Sequence, residues 1–326
     1  MAERKGNLVS YRPDIKVLDA TIRDGGLVNA FNFGDGCVRA LYKAVADAGI
    51  EYMEFGYRAD RDLFPGDANG KWKFCKDDDI RAIVGDMAGG PKIAVMADVG
   101  RCNFRRDIHP KSESPVDLVR VATYINTIPA AMEMIDDAHG KGYETSCNVM
   151  AVSTAGERDI RAALELLASS PVDIVYLVDS YGALYPDQVN HLTDLYLEIL
   201  EPAGKKLGIH AHNNQQLAFA NTIESCSTGA SFLDATVLGM GRGAGNCALE
   251  LLLNFLKNPR YSVVPVYRFI EEWMPMVCQG QEPTWGYALP YLMTGHFNIH
   301  PRPAIEAVRQ RRTDYATLYE DLSDPG

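Results

Sequence analysis

Two histidines spaced i, i+2 in the run Leu207-Gly208-Ile209-His210-Ala211-His212 are the strongest chemical signal in the chain. The run reads as a β-strand, and residues two apart in a strand point to the same face. Both imidazoles then face one side, a chelating arrangement for a divalent metal; the alternative is a pair of satisfied core histidines. Asp24, in Arg23-Asp24-Gly25-Gly26, offers a carboxylate oxygen, and Asn246, at the end of GMGRGAGN, offers an amide carbonyl oxygen. Two neutral imidazoles, one carboxylate and one amide form a mixed nitrogen and oxygen set with positions left for substrate and water. Such a set suits Mn²⁺ or Mg²⁺ and also admits Zn²⁺ or Co²⁺. Arg23, beside Asp24, can place its planar fork over an oxyanion next to the metal.

These residues meet only if the chain folds so that distant segments converge. Eight β-type runs are legible, at 16–20, 50–55, 92–98, 118–122, 143–149, 174–179, 207–212 and 232–237. Helical periodicity lies between them, as in Val38, Leu41, Tyr42, Val45 and Ala48, or Val189, Leu192, Leu195, Tyr196 and Ile199. Eight βα units in register predict an α/β fold, a TIM (β/α)8 barrel with parallel strands. The first strand is followed by RDGG rather than GxGxxG, which argues against an open dinucleotide-binding sheet. The GMGRGAGN loop lacks a GK[ST] ending, so it is not a phosphate loop either.

In a barrel, active-site residues sit at the C-terminal ends of the strands. Reading those ends adds Glu54 as an acid/base or supporting group. It also adds Asp98, Asn148 and Asp179 as residues expected on the substrate side, with loop capping the alternative for the two aspartates. The expected organisation is an N-terminal arm at 1–15, the barrel at 16–259 and a C-terminal helical extension at 260–326 that closes over the mouth. The long stretch 58–79 reads as a lid or binding loop.

Composition narrows the partners. The 326 residues carry 32 basic and 43 acidic side chains, a net charge of -11, which disfavours nucleic acid and anionic membrane surfaces. Hydrophobic residues at 47% and charged residues at 23% describe a globular chain. Seven cysteines form no CxxC pair, the N-terminus has no apolar signal segment and no apolar run is long enough to span a bilayer. A cytoplasmic location is expected. A local arginine and a metal still allow a small anionic substrate.

The combination of LDATIRDGG, EFG on the second strand, VDSYG, HAHNN and GMGRGAGN resembles the DRE-TIM metallolyase superfamily. The resemblance runs over about residues 16–300. RDGG, WKFC at 72–75 and WGYALPYLMTGHFNIHP from Trp285 resemble its 4-hydroxy-2-oxovalerate aldolase-like branch. The resemblance implies that Asp24, His210 and His212 ligate the metal, with Asn246 a fourth ligand, and that Arg23 steadies an enolate. It implies a catalytic tyrosine from the C-terminal region, either Tyr287 or Tyr291. One departure stands out: the branch's catalytic histidine position holds Leu27, and the nearby polar residue is Asn29. Glu54, Asp98, His296, Tyr287 or a metal-bound hydroxide are the bases left open.

The expected function is a metal-dependent aldolase or lyase acting beside a 2-oxo acid of pyruvate type, with an aldehyde as the other small-molecule partner. A Claisen-type synthase or acyl-CoA lyase on the same scaffold, and a barrel that binds without catalysis, are the alternatives. A homodimer is expected; a dehydrogenase partner is not.

Overall fold

The computed structural model describes residues 12–85, 89–280 and 282–323. Most of the expected N-terminal arm, and the last three residues, lie outside them. Eight strands form a closed barrel in chain order: β1 (Lys16–Asp19), β2 (Tyr52–Tyr57), β3 (Lys92–Asp98), β4 (Leu118–Thr123), β5 (Glu144–Val149), β6 (Ile174–Asp179), β7 (Lys206–Ala211) and β8 (Phe232–Ala235). All neighbours are parallel, and β8 closes on β1 with Lys16 opposite Phe232 and Asp19 opposite Ala235. Thirteen helices accompany the described residues. The first nine are α1 (Thr21–Asn29), α2 (Asp35–Asp47), α3 (Asp77–Val84), α4 (Phe104–Asp107), α5 (Ile128–Gly140), α6 (Glu157–Ser169), α7 (Pro186–Leu200), α8 (Ala218–Thr228) and α9 (Leu249–Phe255). The extension adds α10 (Val264–Val277), α11 (Leu289–His296), α12 (Arg302–Arg309) and α13 (Tyr315–Ser323). No helix among the described residues is long and apolar enough to cross a membrane.

Strand runs such as IVYLVD in β6 are buried along their whole length, because helices cover one face and the barrel interior the other. Alternation sorts the interior into layers. Leu18, Tyr52, Leu118, Ile174 and Phe232 form an apolar floor. Two residues further along their strands come Glu54, Arg120 and Asp234, with His210 level with them. Gly208 makes room in this stack. A Cβ there would lie 2.5 Å from the Tyr176 ring, which in turn lies 4.5 Å beneath the Arg120 guanidinium.

Two expectations change. RDGG, expected to present Arg23 and Asp24 from the C-terminal end of the first strand, is helical: β1 ends at Asp19 and the chain turns at once into α1, so Arg23 and Asp24 stand on a helix. The Asp19 carboxylate accepts the Thr21 hydroxyl at 2.5 Å, and Asp24 N–H donates to Ala20 O, which winds the segment at its first residue. The stretch 58–79 is also no free lid. Trp72 is fully buried and donates to Phe33 O, Gly70 N–H donates to Ala30 O, and α3 begins at Asp77.

The extension reaches back over the C-terminal ends of four strands. Asn298 bonds Ser153 after β5, and Gly295 packs against Gly182 and Asn214 after β6 and β7. Trp285 donates to Leu238 O and Gly286 N–H to Ala244 O, both after β8.

Candidate active site

Six side chains at the top of the barrel interior close into a ring. Arg23 Nε donates to Glu54 Oε2 at 2.7 Å, and Arg120 Nη1 donates to the same oxygen at 2.8 Å. Arg120 Nη2 donates to Asp234 Oδ2 at 2.5 Å. His210 Nδ1 lies 3.0 Å from that oxygen, His210 Nε2 lies 3.1 Å from Asp24 Oδ2, and Arg23 Nη1 donates to Asp24 Oδ2 at 2.9 Å. All six are buried, Asp24, Glu54 and Arg120 completely. Burying an unpaired charge costs far more than burying a pair. The alternation of sign around the ring is what lets three guanidinium or imidazole groups and three carboxylates share a dry interior.

Asp24, His210 and His212 bring their donor atoms within 4.8 Å of one another. Both imidazoles are oriented through Nδ1, His210 toward Asp234 and His212 toward the carbonyl oxygen of Asp179 at 3.2 Å. A histidine whose Nδ1–H is engaged in this way presents Nε2 as a metal ligand. Burial pushes the His212 pKa down to about 3, so its ring is neutral. Burial would lower that of His210 too, but hydrogen bonds to Asp234 and Asp24 outweigh it and raise it. Burial works to raise the pKa of Asp24, yet Arg23 and the two histidines hold it well below the usual carboxylate range. Asn246 lies beside them: a backbone bridge pairs it with His212, Nδ2 donates to Met240 O, and Oδ1 is buried with no partner. An orphaned acceptor beside an ionised carboxylate and a neutral imidazole fits a divalent cation.

A cleft of about 70 Å³ opens above this cluster, far below the ~300–1,000 Å³ of sites for drug-sized ligands. Arg23, Asn148, Tyr57 and Leu27 line it. Burial raises the Tyr57 pKa strongly despite the adjacent Arg23, so the phenol keeps its proton.

The other expected residues are placed elsewhere. Glu54 lies beneath the cleft, tied to both guanidiniums. Asp98 is half-buried outside the cleft lining, its pKa raised by burial against the pull of Lys73 and Arg101. Asp179 accepts the backbone N–H groups of Ala183 and Leu184, and burial raises its pKa to about 6. Neither tyrosine of the extension reaches the cleft. Tyr287 is 65% exposed, and the Tyr291 ring packs beside Ala244 and Ala304 while its hydroxyl donates to Thr284 O. His296 is exposed and stacks on Tyr319. The extension enters instead through His300.

Arg120, Asp234, Arg242 and His300 are functional candidates that sequence reading passed over. A charge at the centre of an apolar strand, as in LVRVA and FLDAT, is the signal that marks the first two. No local signal marks His300.

The HMGL-like family model matches residues 14–266. The chain is 29% identical over 266 residues to a 4-hydroxy-2-oxovalerate aldolase of Pelotomaculum thermopropionicum, covering 79% of this chain and 75% of that one. It is 31% identical over 247 residues to an oxaloacetate decarboxylase of Mycobacterium tuberculosis, covering 74% and 69%. Among solved structures, the N-terminal domain of a putative aldolase from Bacteroides vulgatus superposes with a TM-score of 0.77 at 27% identity, covering 93% of this chain and 99% of that one.

Proposed function

The chain belongs to the HMGL-like family, in its aldolase-like branch, and from that membership we propose how its cleft works on a 2-oxo acid. The protein is a metal-dependent carbon–carbon lyase. It makes or breaks the bond between the carbon α to the keto group and the next carbon of a pyruvate-derived acid, with an aldehyde as the second product or reactant. The closed ring of Arg23, Glu54, Arg120, Asp234, His210 and Asp24 carries this reading. Asp24, His210, His212 and Asn246 would hold the cation, Mn²⁺ or Mg²⁺ by their mixed oxygen and imidazole donors. When bound, the cation supplies Lewis-acid polarisation of the keto oxygen.

The chain's own groups do the rest. Glu54 and Asp24 fix the Arg23 guanidinium before substrate arrives, so its remaining N–H groups meet the negative charge that develops as the bond breaks. Asn148 offers an amide to the substrate from β5, its Oδ1 already held by Ser146 Oγ. Met96, Met150 and Val178 wall the cleft with hydrocarbon and exclude water. Leu27 stands in the same wall and moves no proton. Tyr57 keeps its proton and lines the cleft, where its hydroxyl is a hydrogen-bond donor for the oxygen on which negative charge develops. Retro-aldol cleavage and decarboxylation, the activities named for the two relatives, pass through the same enolate, so one charge-stabilising site serves either.

Seven free cysteines support a reducing cytoplasm.

The test is proton exchange of the pyruvate methyl group in deuterated water, followed by NMR. Exchange is expected only with Mn²⁺ or Mg²⁺. Arg23→Lys should lower it about 100-fold or more with metal content unchanged, because a lysine cannot reproduce the fork. Exchange without metal, or near-normal exchange in Arg23→Lys, would overturn the mechanism.

A further inference from the structure

Arg242 differs from the other arginines of the barrel top. Arg23 pairs with Asp24 and Glu54, Arg120 with Glu54 and Asp234, and Arg58 with Asp77. Arg242 lines the same cleft and forms no ion pair among the described residues. Its Nη2 donates to the neutral carbonyl oxygen of Ser180 at 2.9 Å, and its Nε is buried with no partner. Its position is therefore fixed while its charge is left uncompensated.

The second contact of the Arg242 side chain is with His300, Nη1 to Nε2 at 3.3 Å. The other ring nitrogen, Nδ1, accepts the backbone N–H of Arg302 at 3.0 Å. Burial, with Arg242 and Arg302 beside it, lowers the His300 pKa to about 4, so the ring is neutral. A neutral imidazole accepts at one nitrogen and donates at the other. With Nδ1 accepting, the proton sits on Nε2, and two donors from Arg242 and His300 face each other without a shared acceptor. A carboxylate oxygen between them would satisfy both.

Charge over the whole site points the same way. Arg23 and Arg120 against the carboxylates of Asp24, Glu54 and Asp234 leave the ring at a net charge of -1, and Arg242, paired with none of them, adds one positive charge beside it. A divalent cation then leaves two positive charges for the substrate. Asp98 faces Lys73 and Arg101, and Asp179 is enclosed by backbone N–H groups. A 2-oxo acid with one carboxylate uses one of the two charges.

We infer that the cleft selects a 2-oxo acid bearing a second carboxylate, which is taken between the Arg242 guanidinium and the Nε2–H of His300. The inference rests on the proposed 2-oxo acid chemistry and names its substrate class.

The test uses size-matched pairs on the Mg²⁺-loaded protein: 2-oxoglutarate against 2-oxovalerate, and oxaloacetate against 2-oxobutyrate, by calorimetry. In each pair a terminal carboxylate replaces a methyl group. In the wild type at least one dianion should bind roughly 10- to 100-fold more tightly than its partner. In Arg242→Gln that ratio should fall to near one, and in Arg242→Lys to an intermediate value. If Arg242→Gln fails to fold, the wild-type and Arg242→Lys ratios decide. Equal binding within both pairs, or a preference that survives in Arg242→Gln, overturns the inference. Pyruvate methyl exchange, run on the same wild-type preparation, separates the two readings. Exchange without dianion preference leaves the lyase mechanism standing and removes the second carboxylate. Arg242-dependent preference without exchange of any of the acids keeps the anion site and removes the mechanism.

Discussion

Asp234→Asn tests whether the ring orients His210, the proposed metal ligand. One oxygen, Asp234 Oδ2, receives both Arg120 Nη2 at 2.5 Å and His210 Nδ1 at 3.0 Å. Asparagine can keep an oxygen there and both contacts, so the substitution removes charge more than shape. Hydrogen bonds to a charged group contribute about 1.5–3 kcal/mol and neutral ones about 0.5–1.5 kcal/mol. Arg120 keeps its charge, so only the His210 contact becomes a neutral bond, and the lost counter-charge beside the buried Arg120 brings the cost to about 2–3 kcal/mol. For a chain of 326 residues, at about 2.1 cal/mol/K of unfolding entropy per residue, that lowers Tm by about 3–4 °C. The His210 ligand also loses the carboxylate that sets its tautomer and basicity, which lowers metal affinity by roughly 10- to 100-fold. Calorimetric titration with Mn²⁺ and a thermal melt on the same sample read the two effects separately. Replacing both Arg120 by Met and Asp234 by Leu should cost less than the sum of the single replacements, because the pair is removed together. Wild-type Mn²⁺ affinity in Asp234→Asn would refute the orienting role, and strict additivity in the double variant would refute the ring as a coupled unit.

Two more outcomes follow from the geometry. Gly241→Ala would place a Cβ 2.1 Å from Asn246 Nδ2 and 3.3 Å from Asp24 Oδ1; Asn246 must move, so Mn²⁺ affinity should drop at least about 10-fold while the melt shifts by a cost of about 1–3 kcal/mol, and unchanged affinity would exclude Asn246 as a ligand. Burial raises the Asp19 pKa from 3.8 to about 7, so the folded state holds a proton that the unfolded state has lost between those values. That contribution is full below about pH 3.8 and disappears as the pH rises through 7. The stability of the wild type relative to Asp19→Asn should therefore fall by on the order of 4 kcal/mol between pH 4 and pH 8 in urea melts, and a flat difference would show that Asp19 titrates normally.

How much of this could be read in advance depends on whether the information was local. Strand periodicity and eight repeats of β then α are local patterns, and they specify the barrel. The same is true of His210 and His212, since alternation alone puts both side chains on one face. Asp24 was legible as a residue but not as a helical one, because the α1 start is set by the Asp19 carboxylate and Thr21, two short-range contacts that no periodicity reports. Arg120 and Asp234 were hidden by an apolar context; they meet only because β4 and β8 face each other across the barrel, 114 residues apart in sequence. The C-terminal contribution was the least legible. Tyrosine was expected there, and the helix that carries Tyr291 turns that ring toward Ala244 and Ala304 while the following loop delivers His300.

The contacts of the extension also set an order of assembly. The barrel can close when Ala235 pairs with Asp19, and the six-membered ring needs nothing beyond Asp234. Arg242 emerges soon after, but His300 comes some sixty residues later, behind α10 and α11. A chain growing from its N-terminus therefore owns its charged floor well before it owns a finished cleft. A chain that stops between Ala235 and His300 carries all six ring residues but lacks one wall of its substrate cleft.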